Sequence, residues 1–146
     1  MFLFTCYTGL RIGVVRSLTW NMVYGNQIEI AQENPKDPVY LPLSDTARTY
    51  MGKPGMDDNP VFILLSNSHL SVILKTWSSP VGMKKKVTFH VARHTFATLA
   101  LSSGADIYTV SKLLVHSRLE TIQVYTKIID YNKVETVNML PDIGIG

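Results

Sequence analysis

Residues 88–127 constrain the fold of this chain more than any other segment. They combine apolar residues at helical spacing with four polar groups, His90, Arg93, His116 and Tyr125. Because His90 and Arg93 are three residues apart, a helix would present both side chains on one face. The pattern therefore predicts a succession of helices that gathers a guanidinium, two imidazoles and a phenol.

The limits of these helices follow from their caps and their apolar residues. The first helix is predicted from His90 to about Ser102, with Gly104 as its C-terminal stop. Asp106 can cap the next helix. The inward-facing residues are predicted to be Phe96, Leu99 and Ala100 on the first helix, and Ile107, Val110, Leu113 and Leu114 on the second. Two more helices are expected over Thr121–Lys127 and Tyr131–Leu140.

The first half of the chain predicts short helices and a β-hairpin. The strands are expected at Gln27–Ala31 and Val39–Leu43, which flank a polar turn that contains proline. The predicted helices are Met1–Tyr7, Leu10–Leu18, Asp45–Met51 after a Ser44 cap, and one with the apolar stripe Leu70, Ile73, Leu74 and Trp77. The expected fold class is α+β, mainly helical with a small antiparallel sheet at one edge.

A phenol, imidazoles and guanidinium groups are what phosphoryl transfer without a metal would need. The phenol can attack phosphorus, and a guanidinium can hold two phosphate oxygens in a bidentate contact. Imidazoles can hydrogen-bond the phosphoryl oxygens or move protons near neutral pH. Since a phenol has a pKa of about 10, it needs a neighbouring cation or base before it becomes a good nucleophile.

Four short motifs follow one another along the chain. They are Gly9-Leu10-Arg11, His90-Val91-Ala92-Arg93, Leu113-Leu114-Val115-His116, and a tyrosine nine residues further on, Tyr125. In this order they resemble the conserved boxes of the tyrosine recombinases, the phage integrase family. The resemblance covers nearly the whole chain and implies the catalytic domain of such a recombinase over residues 1–146. Because that family carries a further helix and a core-binding domain upstream, it also implies an N-terminally truncated chain.

The resemblance implies a role for each polar group. Arg11 and Arg93 would hold the scissile phosphate, and His90 and His116 would contact it and assist proton transfer. Tyr125 would attack DNA, form a 3′-phosphotyrosyl link and release a 5′-hydroxyl. Because bond energy is kept in that link, neither ATP, a metal nor a small-molecule cofactor is expected.

Three positions depart from the family pattern. Val14 stands where the family usually has Asp or Glu, and Val115 stands where it usually has Gly. Asn34 aligns with the hairpin lysine that assists the leaving 5′-oxygen in the family. Lys36, two residues on, could take over as the general acid if Pro35 and Pro38 rearrange the tip of the hairpin.

Basic residues next to the expected site indicate a nucleic-acid partner. The net charge is +3 and the pI about 9.0, which is mildly basic. Lys84, Lys85 and Lys86 directly precede the His90 helix, and Arg16 is expected to face solvent or DNA. The expected partners are double-stranded DNA and other recombinase protomers on it.

The composition indicates an ordered protein without a membrane segment or an internal disulfide. With 46% hydrophobic residues in 146, the chain can form an ordered core. It contains no run of 18 apolar residues and no signal-peptide pattern, so no membrane association is expected. The single cysteine, Cys6, excludes an internal disulfide and fits a cytoplasmic protein with a buried structural thiol.

Other functions share some of these residues. A degenerate relative of the recombinases would bind DNA or recombinase partners without cutting, and Val14 and Asn34 favour that alternative. The type IB topoisomerases share the chemistry. His94, four residues after His90, could in principle complete a metal pair, but no Glu or Cys stands at zinc spacing. A structural hydrogen bond is expected of His94 instead.

Overall fold

A computed structural model describes residues 1–30, 39–63, 65–80, 82–83 and 85–114 of the chain. The helices are α1 (Phe2–Thr8), α2 (Ile12–Ser17), α3 (Asp45–Thr49), α4 (Asn67–Ser78), α5 (Phe89–Ser102) and α6 (Ile107–Leu113). The strands are β1 (Val23–Tyr24), β2 (Gln27–Ile30) and β3 (Val39–Pro42). The chain divides into two compact units, Met1–Phe96 and Ala97–Gly146. No helix among the described residues is long and apolar enough to cross a membrane.

The first helix stops at Gly9, as predicted. Gly9 has a φ of 67°, in the left-handed region that glycine enters without a steric penalty, and its N–H donates to the Thr5 carbonyl at 2.9 Å. The predicted second helix begins too early, because the backbone of Arg11 is extended, with φ −70° and ψ 146°. Arg11 therefore occupies the N-cap position of α2 instead of a place inside the helix.

The predicted hairpin is confirmed as part of a three-stranded antiparallel sheet in the order β1-β2-β3. Ile28 of β2 pairs with Val23 on one side and Leu41 on the other. Ile28 and Leu41 are both buried, so this face of the sheet contributes to the core. The sequence did not predict β1, because two residues are too few to show an alternating pattern. The hairpin tip, residues 31–38, lies outside the described residues.

Helix α3 starts from the predicted Ser44 cap. The Ser44 hydroxyl accepts a hydrogen bond from the Ala47 N–H at 3.2 Å. From the same helix, Arg48 donates to the Gly25 carbonyl and to Asn26 Oδ1, both in the turn between β1 and β2. These bonds attach α3 to the sheet.

The predicted inward face of α4 is wrong in part. Leu70 and Leu74 are buried, but Ile73 is 48% exposed and Trp77 is 58% exposed. The buried row instead continues to Ser78, four residues after Leu74, so α4 buries a narrow stripe at i, i+4 and i+8. Trp77 packs only at the edge of this stripe, with its ring centroid 5.9 Å from that of Phe2.

The predicted inward face of α5 is also wrong. Leu99 is 47% exposed, and Phe96 and Ala100 are only half-buried. The side chains that are fully enclosed are Ala92, Ala97 and Leu101. Two of these three residues are small alanines, so the buried face of α5 is not the one that carries Phe96 and Leu99.

The link between α5 and α6 has the predicted signals. Gly104 has a φ of 89°, and the Gly104 and Ala105 N–H groups donate to the Leu101 and Ala100 carbonyls, as in a Schellman motif. Asp106 Oδ1 accepts from the Thr109 N–H at 2.9 Å and caps α6. Two of the four predicted inward residues of α6 are buried, Val110 and Leu114. The helices expected over Thr121–Lys127 and Tyr131–Leu140 lie outside the described residues.

Two leucines of α5 provide a matched test of its packing. Leu101 is 1% exposed and Leu99 is 47% exposed. Leu101→Ala should lower the free energy of unfolding by about 2–5 kcal/mol, because it removes buried methyl groups and leaves a cavity. Leu99→Ala should change the free energy of unfolding by only about 0.5 kcal/mol. Urea unfolding followed by circular dichroism measures both values, and a larger loss for Leu99→Ala would contradict the assigned face.

Candidate functional site

A hydrogen bond joins the Gly-Leu-Arg motif to the His-Val-Ala-Arg motif. Arg93 Nη1 on α5 donates to the Gly9 carbonyl oxygen at 2.7 Å, across 84 residues of sequence. Carbonyls at the C-terminal end of a helix lack partners within the helix and carry partial negative charge. The positive guanidinium of Arg93 is therefore favoured at the C-terminal end of α1. The bond fixes a half-buried guanidinium beside the backbone that leads directly to Arg11.

Arg11 leaves that same turn with an exposed side chain. Its backbone carbonyl accepts the Val15 N–H at 3.0 Å, so the first turn of α2 holds the residue in place. Arg11 is two residues after Gly9, whose carbonyl Arg93 contacts. The structure thus brings the guanidinium of Arg93 to within two residues of the Arg11 backbone, at one end of α1.

His90 and His94 contact each other on α5. Their Nε2 atoms are 2.8 Å apart, and their rings meet edge to face with centroids 4.4 Å apart. Because one Nε2 must donate and the other accept, the two rings share a single proton between these atoms. Burial, followed by the positive charges of His90 and Arg93, lowers the pKa of His94. The lowered pKa of His94 favours its neutral form as the acceptor, and the hydrogen bond expected of His94 is confirmed.

No third metal ligand accompanies His90 and His94 in the described part of the chain. Within residues 1–30, 39–63, 65–80, 82–83 and 85–114, no three His, Cys, Asp or Glu side chains lie where they could hold a metal ion together. Cys6 is buried, and burial raises the pKa of its thiol, as expected for a structural cysteine.

Three lysines line one cavity beside the start of α5. The cavity has a volume of about 520 Å³ and lies between α4 and the segment that precedes α5. Its basic residues are Lys75, Lys85 and Lys86. Lys75 was not predicted, since no sequence pattern links a lone helical lysine to a basic run ten residues later. The apolar and hydroxyl residues of the lining are Ser71, Val72, Ser78, Ser79, Met83 and Val87.

Arg16, which the sequence assigned to DNA contact, makes contacts within the chain. It is exposed, and its Nη2 donates to the Leu65 carbonyl at 3.1 Å and to Asn67 Oδ1 at 2.8 Å. These bonds connect α2 to the start of α4. A DNA contact by Arg16 stays a prediction.

Val14 occupies a position that suits an apolar side chain. It is half-buried and lines a small cavity of about 50 Å³ together with Leu18, Met22 and Ile30. A carboxylate at this position would face mostly apolar neighbours, although Glu29 lines the same cavity. The departure at Val14 is thus accommodated by local packing.

Four of the predicted site residues lie outside the described part of the chain. They are Lys36, Lys84, His116 and Tyr125. Val115 and Asn34, two of the departures from the family pattern, lie outside it as well. The roles assigned to these residues stay predictions.

Acid should destabilise the chain partly through His94. Its pKa is 6.5 in the unfolded chain and lower in the folded one, so the unfolded state binds the proton first as pH falls. The free energy of unfolding should therefore fall as pH drops below about 6.5. Urea midpoints at pH 7.5 and 5.5 should show a smaller drop for His94→Gln than for the wild type. An equal drop would mean that His94 titrates normally in the fold.

The sequence is similar to those of known tyrosine recombinases. The sequence model of the phage integrase family matches residues 1–131. The tyrosine recombinase XerD of Lacticaseibacillus casei is 30% identical over 136 residues, which cover 82% of this chain and 46% of XerD. The chain thus spans about half the length of this relative.

Solved structures share the fold. The crystal structure of XerA recombinase has a TM-score of 0.68 and 25% identity, over 94% of this chain and 56% of that one. XerH recombinase, solved bound to its difH substrate, has a TM-score of 0.64 and 23% identity, over 86% of this chain and 41% of that one. A mainly helical fold with a small antiparallel sheet is that of tyrosine recombinase catalytic domains. This chain belongs to the phage integrase family.

Proposed function

We propose that this chain provides the catalytic centre of a site-specific DNA recombinase, which cleaves and rejoins strands through a 3′-phosphotyrosyl intermediate. The observation that carries the proposal is the hydrogen bond from Arg93 to the Gly9 carbonyl. It brings the two arginine motifs together at one end of α1, as a site for a single phosphate requires. The family match over residues 1–131 supports the same class of reaction.

The two arginines would stabilise the charge that develops on the scissile phosphate. Arg11 and Arg93 donate to its non-bridging oxygens, and removing one such donor typically costs about 2.7–4 kcal/mol of barrier. His90 lies in the first turn of α5, where the Thr88 hydroxyl accepts from the Val91 N–H. The N-terminus of a helix favours an anion, so this turn suits a phosphate.

Tyr125 would be the nucleophile. Its phenolic oxygen loses a proton and bonds to phosphorus, while the bond from phosphorus to the 5′-oxygen breaks. The leaving 5′-oxygen takes up one proton, so the step is balanced without water or nucleotide. Attack by a 5′-hydroxyl of another strand reverses the chemistry and reseals the DNA. His116 would contact the phosphate and assist these proton transfers.

Lys36 would provide the proton for the leaving 5′-oxygen. It stands two residues beyond Asn34, the position that aligns with the family's lysine. Along an extended strand two residues cover about 6.6 Å and keep the side chain on the same face, so a small change at the hairpin tip can compensate. Burial against DNA would lower the pKa of this lysine and ease the proton transfer.

Double-stranded DNA is the proposed substrate, and other protomers on the same DNA are the proposed partners. The cavity of Lys75, Lys85 and Lys86 lies next to the start of α5 and would contact backbone phosphates on either side of the scissile one. Such contacts add affinity that does not depend on sequence. The DNA-bound state of XerH, which shares the fold, supports this choice of substrate.

A second candidate function is DNA binding without cleavage. The observation that favours it is Val14, which packs among apolar side chains where the family usually has a carboxylate. A covalent adduct would separate the two functions, because only a recombinase forms one.

The proposed nucleophile can be tested by trapping the covalent intermediate. The substrate is a pool of nicked duplexes with randomised sequence, in which the short 5′-hydroxyl fragment diffuses away after cleavage. The wild-type chain should give a protein–DNA band that survives denaturing electrophoresis, and Tyr125→Phe should give none. Tyr131→Phe, the matched control, should still give the band. Absence of the band with the wild type would favour the binding module.

The proposed acid can be tested with a duplex selected by that assay. A 5′-bridging phosphorothiolate has a sulfur leaving group that needs no acid, so Lys36→Ala should lose cleavage of ordinary DNA and keep cleavage of the phosphorothiolate. Lys53→Ala, a change at an exposed loop lysine, should cleave both as the wild type does. Equal loss on both substrates would mean that Lys36 only binds DNA.

A further inference from the structure

The contact between His90 and His94 fixes the relative orientation of their two imidazole rings. The Nε2 atoms are 2.8 Å apart and the rings are nearly perpendicular, at 86°. The lone pair of an imidazole nitrogen lies in the plane of its ring. An N–H group that donates to this lone pair therefore lies in or near that plane, and the hydrogen bond orients both rings. The spacing of four residues along α5 places one ring above the other on the helix surface.

Burial and the neighbouring charges favour His94 as the acceptor of this hydrogen bond. Burial, His90 and Arg93 all lower the pKa of His94, in that order of importance. A neutral His94 whose Nε2 accepts must carry its own proton on Nδ1, which is the less common tautomer of a neutral imidazole. With the His90 Nε2 as donor, Nδ1 is the ring nitrogen of His90 that this contact does not use.

We propose that His94 is the positioning residue of His90: it accepts the Nε2 proton of His90 and leaves Nδ1 as the nitrogen that meets the scissile phosphate. This inference rests on the proposed function. With Nδ1 protonated, His90 donates to a phosphoryl oxygen, and with Nδ1 bare it accepts a proton. In this role His94 acts on the reaction through His90.

Nuclear magnetic resonance on the DNA-free chain tests the contact directly, and 16.4 kDa suits the method. Ring nitrogen shifts at pH 7.5 should identify His94 as the Nδ1–H tautomer and His90 as the Nε2–H tautomer. A scalar coupling between the two Nε2 nuclei should cross the hydrogen bond. If His94 is found as the Nε2–H tautomer, or if no coupling is detected, the proposal is wrong.

Substitutions test the consequence for cleavage. His94→Leu removes the acceptor at similar volume, whereas His94→Gln keeps an amide oxygen near the place of Nε2. His94→Leu should slow adduct formation roughly 100-fold with DNA affinity changed by no more than about twofold, and His94→Gln should recover most of the rate. His69→Leu is the matched control, since His69 is an exposed helical histidine that contacts Ser66 on α4.

The adduct assay and the spectra can each contradict the role proposed for His94. Two results would overturn the proposal. The first is a wild-type rate of adduct formation for His94→Leu, and the second is an equal loss of rate for His94→Leu and His94→Gln. Either result would show that the rate does not depend on a hydrogen-bond acceptor at residue 94. Should His94→Leu fail to fold, His94→Gln and the spectra of the wild type still decide. If the wild type forms no adduct, the proposed function fails, while the spectra still show whether His94 orients His90.

Discussion

The hydrogen bond between the Arg93 guanidinium and the Gly9 carbonyl is the constraint on which the proposed site depends. It needs a helix that stops abruptly, and Gly9 provides the stop by taking a φ of 67°. It also needs the half-buried Arg93 side chain to reach that stop from the first half of α5. A residue with a side chain at position 9 would be strained in the left-handed region.

The same half of α5 organises the other groups of the site. Arg93 faces the end of α1, and His90 and His94 form a pair on the same helix. Each of these groups is held by another protein group before any substrate arrives. Groups that are oriented in advance lose little entropy when they meet the charge of a transition state. In the proposed function, the basic cavity of Lys75 and Lys85 would attract the phosphate backbone.

Local chemistry in the sequence predicted much of this fold, because a cap depends on residues that are close together in the chain. The stop at Gly9 and the cap at Asp106 are examples. The inward face of α5 was not predicted, since Leu101 is buried and Leu99 is exposed for reasons that lie in the packing of neighbouring elements. The motifs predicted the site residues, whereas the contribution of Lys75 to the basic cavity depends on how distant segments meet in space.

The most direct test of the central claim is a crystal structure of the chain with a nicked duplex and vanadate, which mimics the transferring phosphoryl group. The account predicts that Arg11 and Arg93 both donate to equatorial oxygens of one vanadate, with Tyr125 at an apical position. Arg93 should keep its bond to the Gly9 carbonyl at close to the 2.7 Å of the DNA-free chain. A complex in which Arg11 contacts a different phosphate, or in which Arg93 leaves Gly9 to reach the vanadate, would contradict the account.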